Sequence, residues 1–177
     1  MTDDDGQVGL DTATRFRHAF RRHPAGVALV TAATADGFVG LTASSVASVS
    51  ADPAVVSFSV SRSSGSAAGL LAAGEVSVHL LPASRLDLAE DFSRPGARRF
   101  TAEQGWTRQD DGGLRLPDAL ATLSGPIRAT IPVGAATVVL LDVGEVVLGR
   151  VGDPLVHHDR TFRRLGAPLH RRERGYA

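Results

Sequence analysis

The chain has no cysteine and no lysine among its 177 residues. The first absence removes disulfides, thiolate metal sites and cysteine nucleophiles. The second removes Schiff-base chemistry and the lysine of a phosphate-binding P-loop, because every one of the 19 basic residues is arginine. Nineteen acidic residues balance them, so the basic excess of a nucleic-acid binder is missing. No apolar run approaches the ~18 residues that a membrane span needs. The start, Met1-Thr2-Asp3-Asp4-Asp5-Gly6, is acidic where a secretory signal is apolar. The six histidines show no metal-ligand spacing, so no metal is expected. Neither a βαβ period nor a glycine-rich dinucleotide fingerprint appears, which argues against a Rossmann domain. What remains is a soluble, cytoplasmic, single-domain protein, expected to bind neither nucleic acid nor membrane. At this length it can bury roughly 70% of its unfolded surface without staples.

The periodicities present are short. Asp11 to His23 reads as a helix, with Phe16, Ala19 and Phe20 at i, i+3, i+4 and Pro24 as its stop. Val27–Ala32 and Phe38–Thr42 read as strands joined by an Asp36-Gly37 hairpin signal. Gly40 within the return strand marks a bulge or a close approach of ligand to backbone. In Ala54–Val60, Val56, Phe58 and Val60 share one face, and Ser57 and Ser59 the other. Ser66–Ala73 reads as a short helix, Val76–Leu81 as a strand, and Ser84 caps a helix running to about Phe92, with Asp87 as half of a capping box. A turn-rich excursion follows, anchored by Trp106. Ala119–Ile131, Thr137–Leu148, Leu155–His158 and Thr161–Leu165 then read as strands, with Pro126 at an edge or bulge. About seven short strands and three short helices favour a mainly β, barrel-like fold.

Two hydroxyl-rich segments flank the Ala54–Val60 strand. The first, Gly40-Leu41-Thr42-Ala43-Ser44-Ser45-Val46, combines hydroxyls with side chains small enough for a flat ligand to approach the backbone. The second, Ser61-Arg62-Ser63-Ser64, places a guanidinium among hydroxyls just ahead of a helix, a chemistry suited to phosphate. Taken alone, the same residues equally suit ordinary serine-rich turns.

The order of these segments resembles the flavin reductase-like family, which supplies reduced flavin in two-component flavin monooxygenases. The resemblance rests on Pro24–Thr31, Gly40–Val46, Ser48–Pro53, Ser61–Ser64, Phe92–Phe100 with Trp106, and the closing Asp153–Leu165. It covers about residues 14–166 of the chain. It implies an FMN-binding split β-barrel with short flanking helices over residues 13–166, forming a homodimer. Residues 1–12 are then an N-terminal arm and 167–177 a C-terminal tail. The resemblance also implies that Thr42, Ala43, Ser44, Ser45 and Val46 lie along the isoalloxazine with their amides on its pyrimidine edge. Ser61, Arg62, Ser63 and Ser64 would hold the phosphate end, joined by Arg98, Arg99 and Phe100. The implied cofactor is FMN, with FAD as the alternative. The implied reductant is NADH or NADPH, and the implied partner a flavin-dependent monooxygenase.

The match departs at Gly134-Ala135-Ala136, where many such reductases carry Gly-Asp-His. That puts nicotinamide use in question and leaves two other readings open, a flavin carrier without nicotinamide activity and an enzyme using another reductant such as a deazaflavin. The closing histidines offer a substitute. His157 and His158 are adjacent in a strand and face opposite ways, so one of them points to the pocket; His158 is taken as the catalytic candidate. His79, mid-strand, reads as structural.

Overall fold

The computed structural model describes residues 10–61, 65–109 and 112–167. Arg62, Ser63 and Ser64 lie outside the described residues, as do most of the expected N-terminal arm and C-terminal tail. Asp11 opens helix α1 (Thr12–Arg21) as its N-cap, accepting the Thr14 N–H at 2.7 Å. That bond holds its carboxyl below the usual range. The apolar stripe of α1 has the expected spacing. It is not buried, however: Phe16 and Phe20 are 61% and 59% exposed, with their rings 4.5 Å apart.

After the two-residue β1 (Ala25–Gly26) come β2 (Ala28–Thr34) and β3 (Gly37–Ala43), paired as the hairpin that Asp36-Gly37 signals. Gly37 has φ +122°, which an L side chain resists. Then follow β4 (Ala47–Ala51), β5 (Ala54–Ser61), α2 (Ala67–Ala72) and β6 (Glu75–Leu80). In β5, Val56, Phe58 and Val60 are buried while Ser57 and Ser59 are not, as the alternation predicts.

The next helix differs from its expected start. Ala83–Arg85 form a 3-10 turn, and α3 (Leu86–Ser93) begins after it with no side-chain cap. The Ser84 capping box is not formed. Arg85 organises this corner instead, reaching Asp118 at 2.6 Å and the Gln104 carbonyl at 2.7 Å. The excursion contributes a small hairpin, β7 (Thr107–Arg108) with β8 (Leu114–Arg115).

Strand β9 (Ala121–Val133) is the longest. Its first half pairs with β6 on one side and β11 (Glu145–Leu148) on the other; its second half pairs with β10 (Ala136–Asp142). Pro126 sits at this change of partners, opposite Glu75, and the β10 ladder carries a bulge beside it. A Cβ on Gly125 would run into the Asp142 carbonyl, so only glycine fits the corner. The run expected as one strand over Thr137–Leu148 breaks at Val143-Gly144. There the Val143 N–H bonds the Ala54 carbonyl and the Gly144 N–H bonds Ser124, carrying the chain from β5 across to β9. The closing hairpin is β12 (Leu155–His158) with β13 (Thr161–Arg164), and β1 adds to its edge.

The main sheet is antiparallel in the order β3-β2-β6-β9-β10-β5-β4, with β11 branching from β9. Its two ends do not join, since no ladder links β3 to β4 among the described residues. The sheet therefore curls without closing into a barrel. It still wraps one core, in which Val30, Leu41 and Val78 share a cluster with Phe58, Val60 and Val139 from the other arm. A second cluster under α3 gathers Leu29, Leu81, Leu88, Phe92 and Leu155, with Phe100 and Trp106 packed against it. Trp106 anchors the excursion there, 5.8 Å from the Phe92 ring and 5.4 Å from Phe100.

Gly40 answers to this second cluster and not to a ligand. A Cβ at position 40 would lie 2.7 Å from Phe92 Cε1 and 3.0 Å from Phe100 Cζ. Gly40→Ala is expected to destabilise the protein by about 1–3 kcal/mol through overpacking, read as a lower urea midpoint.

Candidate functional site

The loop from β3 to β4 is held by its hydroxyls and presents its backbone. Thr42 Oγ1 donates to the Ala89 carbonyl of α3 at 2.8 Å. Ser45 Oγ accepts the Ser59 N–H at 2.9 Å and lies 3.3 Å from the Ser59 carbonyl, which fixes the loop to β5. Ala43 is buried. Among the described residues no hydrogen bond uses the backbone N–H of Ser44, Ser45 or Val46. Those three residues line a cleft of about 870 Å³, a size within the range of small-molecule sites. Phe16 and Phe20 of α1 line the same cleft, together with His157. The five residues Thr42–Val46 are thus brought together, with different roles. The Thr42 and Ser45 hydroxyls are spent inside the protein, while the amides of Ser44–Val46 are donors without an internal partner.

Two residues further along the same face of β5 from Ser59, Ser61 borders a second cleft of about 580 Å³. Gly65, Ser66 and Arg99 line it too, flanking the segment that carries Arg62, Ser63 and Ser64. Arg99 is firmly placed. Its Nη1 donates to the Gly40 carbonyl at 3.0 Å and to Ser66 Oγ at 3.1 Å, its Nη2 to the Arg94 carbonyl at 2.8 Å, and its Nε to the Asp91 carbonyl at 3.4 Å. The guanidinium also sits 5.6 Å from the Phe92 ring centroid. All four acceptors are neutral, and Arg99 forms no ion pair among the described residues. Its positive charge is therefore left for an anion in the cleft.

Its neighbours do not share this role. Arg98 is exposed, lines neither cleft, and offers its carbonyl to the Gln104 side chain at 3.2 Å. Phe100 adopts φ +59° and turns its ring into the aromatic cluster, 5.0 Å from Phe92 and 5.7 Å from Phe38. Of the Arg98–Phe100 group, only Arg99 reaches the site.

The two closing histidines divide as strand alternation requires, but the assignment is the reverse of the one expected. His157 lines the large cleft beside Ser44–Val46, with its ring 5.5 Å from Phe162. His158 faces a separate hollow with His18, Arg21 and Arg22. The sequence could not choose between them because both preceding residues, Leu155 and Val156, are buried and leave no one-sided pattern. Phe16, Phe20 and Ser59 were also missed as cleft residues. The i, i+3, i+4 signal in α1 marked the two phenylalanines as a helix face without indicating what that face lines.

His79 is structural, as its position suggested. It is fully buried, with Nε2 at 3.0 Å from Thr31 Oγ1, Nδ1 at 3.0 Å from Thr122 Oγ1 and its ring 5.4 Å from Trp106. Burial, aided by the Arg115 charge, lowers its pKa to about 3.

Among the described residues no helix is long and apolar enough to cross a membrane. A family model described as flavin reductase like domain matches residues 20–166. The NADH:FMN oxidoreductase of Rhodococcus qingshengii is 36% identical over 153 residues, covering 84% of this chain and 80% of that protein. The reductase component of 4-hydroxyphenylacetate 3-monooxygenase from Pseudomonas aeruginosa is 31% identical over 157 residues, covering 86% and 92%. The crystal structure of a flavin reductase domain protein from Arthrobacter sp. FB24 superposes with a TM-score of 0.83 at 32% identity, covering 90% of this chain and 98% of that one. With that breadth of match, and a cleft whose free amides and adjoining arginine suit a flat anionic ligand, this chain belongs to the flavin reductase like family.

Proposed function

We propose that the protein is an NADH-dependent flavin reductase that supplies reduced FMN to a flavin-dependent monooxygenase, acting as a cytoplasmic homodimer. The observation that carries this reading is the set of unpartnered amides at Ser44, Ser45 and Val46, residues that line one cleft with Ser59, while Ser61, two residues along β5, lines the Arg99 cleft. The amides take the pyrimidine edge of the isoalloxazine, and Arg99 with the Ser61–Ser66 segment takes the phosphate. A flavin held there would supply the hydride-accepting chemistry and the nicotinamide the hydride. The protein's part is to orient the two rings and keep water from between them. Phe16, Phe20 and His157 supply that enclosure, and none of them has to move a proton. The names of the relatives favour NADH and a monooxygenase partner. Exposed apolar residues on β9 and β11, Ile131, Val133, Val146 and Leu148, suit a subunit interface.

The departure at Gly134-Ala135-Ala136 spans the exposed turn after β9 and the first residue of β10, and keeps the carrier and deazaflavin readings as the alternatives to be excluded. The test is anaerobic addition of NADH to the FMN-loaded protein. The expected result is bleaching of the visible flavin band, with NADPH slower. Retention of FMN without bleaching by either nucleotide would instead support the carrier, and bleaching only by a reduced deazaflavin the third reading.

A further inference from the structure

The turn between β12 and β13 is built against backbone preference. His158 pairs with Thr161, leaving Asp159-Arg160 as a two-residue loop in which both residues have positive φ, +48° and +62°. Such turns favour glycine or asparagine, particularly at the second position. An arginine held there is strained, and strain of this kind persists where the side chain is needed. The turn is also tied to α1, since the Asp159 N–H donates to the Arg21 carbonyl at 3.0 Å. The last carbonyls of α1 are covered by Arg22, His23 and Asp159, which blunts the negative end of its dipole.

Arg160 lines the large cleft together with Arg17 and Arg21 of α1. None of the three is in an ion pair among the described residues; Arg17 donates only to the Thr14 hydroxyl, at 2.9 Å. The one acid on the cleft wall is Asp159, which pairs with none of them, and the other titratable groups there are His23 and His157. This basic group lines the same cleft as Ser44–Val46, whereas Arg99 lines the other cleft.

Resting on the reductase reading above, we propose that Arg160, with Arg17 and Arg21, forms a phosphate handle for the dinucleotide reductant. Guanidinium groups bind phosphate oxygens as two-pronged donors. Here they hold the nucleotide by its phosphates while its nicotinamide enters between the phenylalanines and the flavin. The phosphate is either the pyrophosphate shared by NADH and NADPH or the 2′-phosphate of NADPH alone.

Arg160→Gly tests this without endangering the fold, because glycine prefers the backbone conformation of the turn. In steady-state assays with FMN, the KM for NADH is expected to rise about tenfold while kcat stays within about twofold. The melting temperature should hold or rise. Reduced nicotinamide riboside, which has no phosphate, should show no change. ADP-ribose should compete with NADH about tenfold less well against the variant than against the wild type. Equal losses for NADH and NADPH identify the pyrophosphate, and a loss confined to NADPH identifies the 2′-phosphate; both support the handle. An unchanged KM for both nucleotides overturns it, as does a rise in KM for FAD alone. If the wild type is bleached by neither nucleotide, the reductase reading itself fails, an outcome distinct from a reductase that tolerates Arg160→Gly.

Discussion

Arg99→Met is expected to weaken FMN binding about 30-fold while leaving riboflavin, which has no phosphate, within about threefold of the wild type. Four of the five guanidinium N–H groups are spent on the carbonyls of Gly40, Arg94 and Asp91 and on Ser66 Oγ. One donor and the whole charge remain for the phosphate, and a hydrogen bond to a charged group contributes roughly 1.5–3 kcal/mol. The same substitution removes the link between β3, α3 and the start of α2, so unfolding should also require less urea. Arg99→Lys separates the two contributions. Lysine keeps the charge but has no planar fork to span those acceptors. It should recover part of the preference for FMN over riboflavin and little of the stability. Equal losses for FMN and riboflavin in the methionine variant would reduce Arg99 to a positioning residue.

The second large effect concerns acid stability. His79 has a pKa of about 3 in the folded protein, against an ordinary value near 6.5. Below pH 6.5 the unfolded chain takes up a proton at this position and the folded chain does not. Protonation thus favours unfolding, and the contribution is absent above pH 6.5 and grows as pH falls toward 3. The slope approaches about 1.4 kcal/mol per pH unit, so between pH 7 and pH 4.5 roughly 2–3 kcal/mol is lost through this one ring. His79→Gln keeps an amide between Thr31 and Thr122 but cannot titrate. It should be less stable at pH 7, yet lose less on acidification. Urea midpoints at the two pH values measure the difference, with Trp106, the only tryptophan in the chain and 5.4 Å from the His79 ring, as the fluorescence reporter. Parallel losses in the two proteins would mean that His79 is not the group responsible.

Much of the fold was legible because its signals are local. The alternation in Val56–Val60, the Asp36-Gly37 hairpin and the run before Pro24 each involve a few consecutive residues, and each gave the element observed. The errors lie where distant contacts decide. A continuous apolar run over Thr137–Leu148 hides the break at Val143-Gly144, because the partner changes from β5 to β9 and the hydropathy does not. Ser84 looks like a cap, but the reach of Arg85 to Asp118 shapes that corner from 33 residues away. Gly40 read as a bulge or a close approach of ligand, and it is two phenylalanines distant in sequence that crowd it. The candidate site divides in the same way. The Thr42–Val46 loop was found through its hydroxyls, although what it offers is backbone, since Ala89 and Ser59 take up the Thr42 and Ser45 hydroxyls. His157 was passed over for His158 because two consecutive buried residues erased the alternation that would have told them apart.

The thirteen-residue β9 also bears on how the molecule comes apart. It is hydrogen-bonded to β6, β10 and β11, so both arms of the curled sheet hang on one shared strand. Each arm is held by its own half of that strand, β6 and β11 by Ala121–Pro126 and β10 by Ile127–Val133, so β9 is what connects them. The cleft borders Ser59 of β5 on one arm and the loop that follows β3 of the other, so its lining depends on both arms. The sheet is in this sense one connected unit, with the slowest amide exchange belonging to Ala121–Ser124 of β9, paired on both sides by β6 and β11, and not to the strands that line the site.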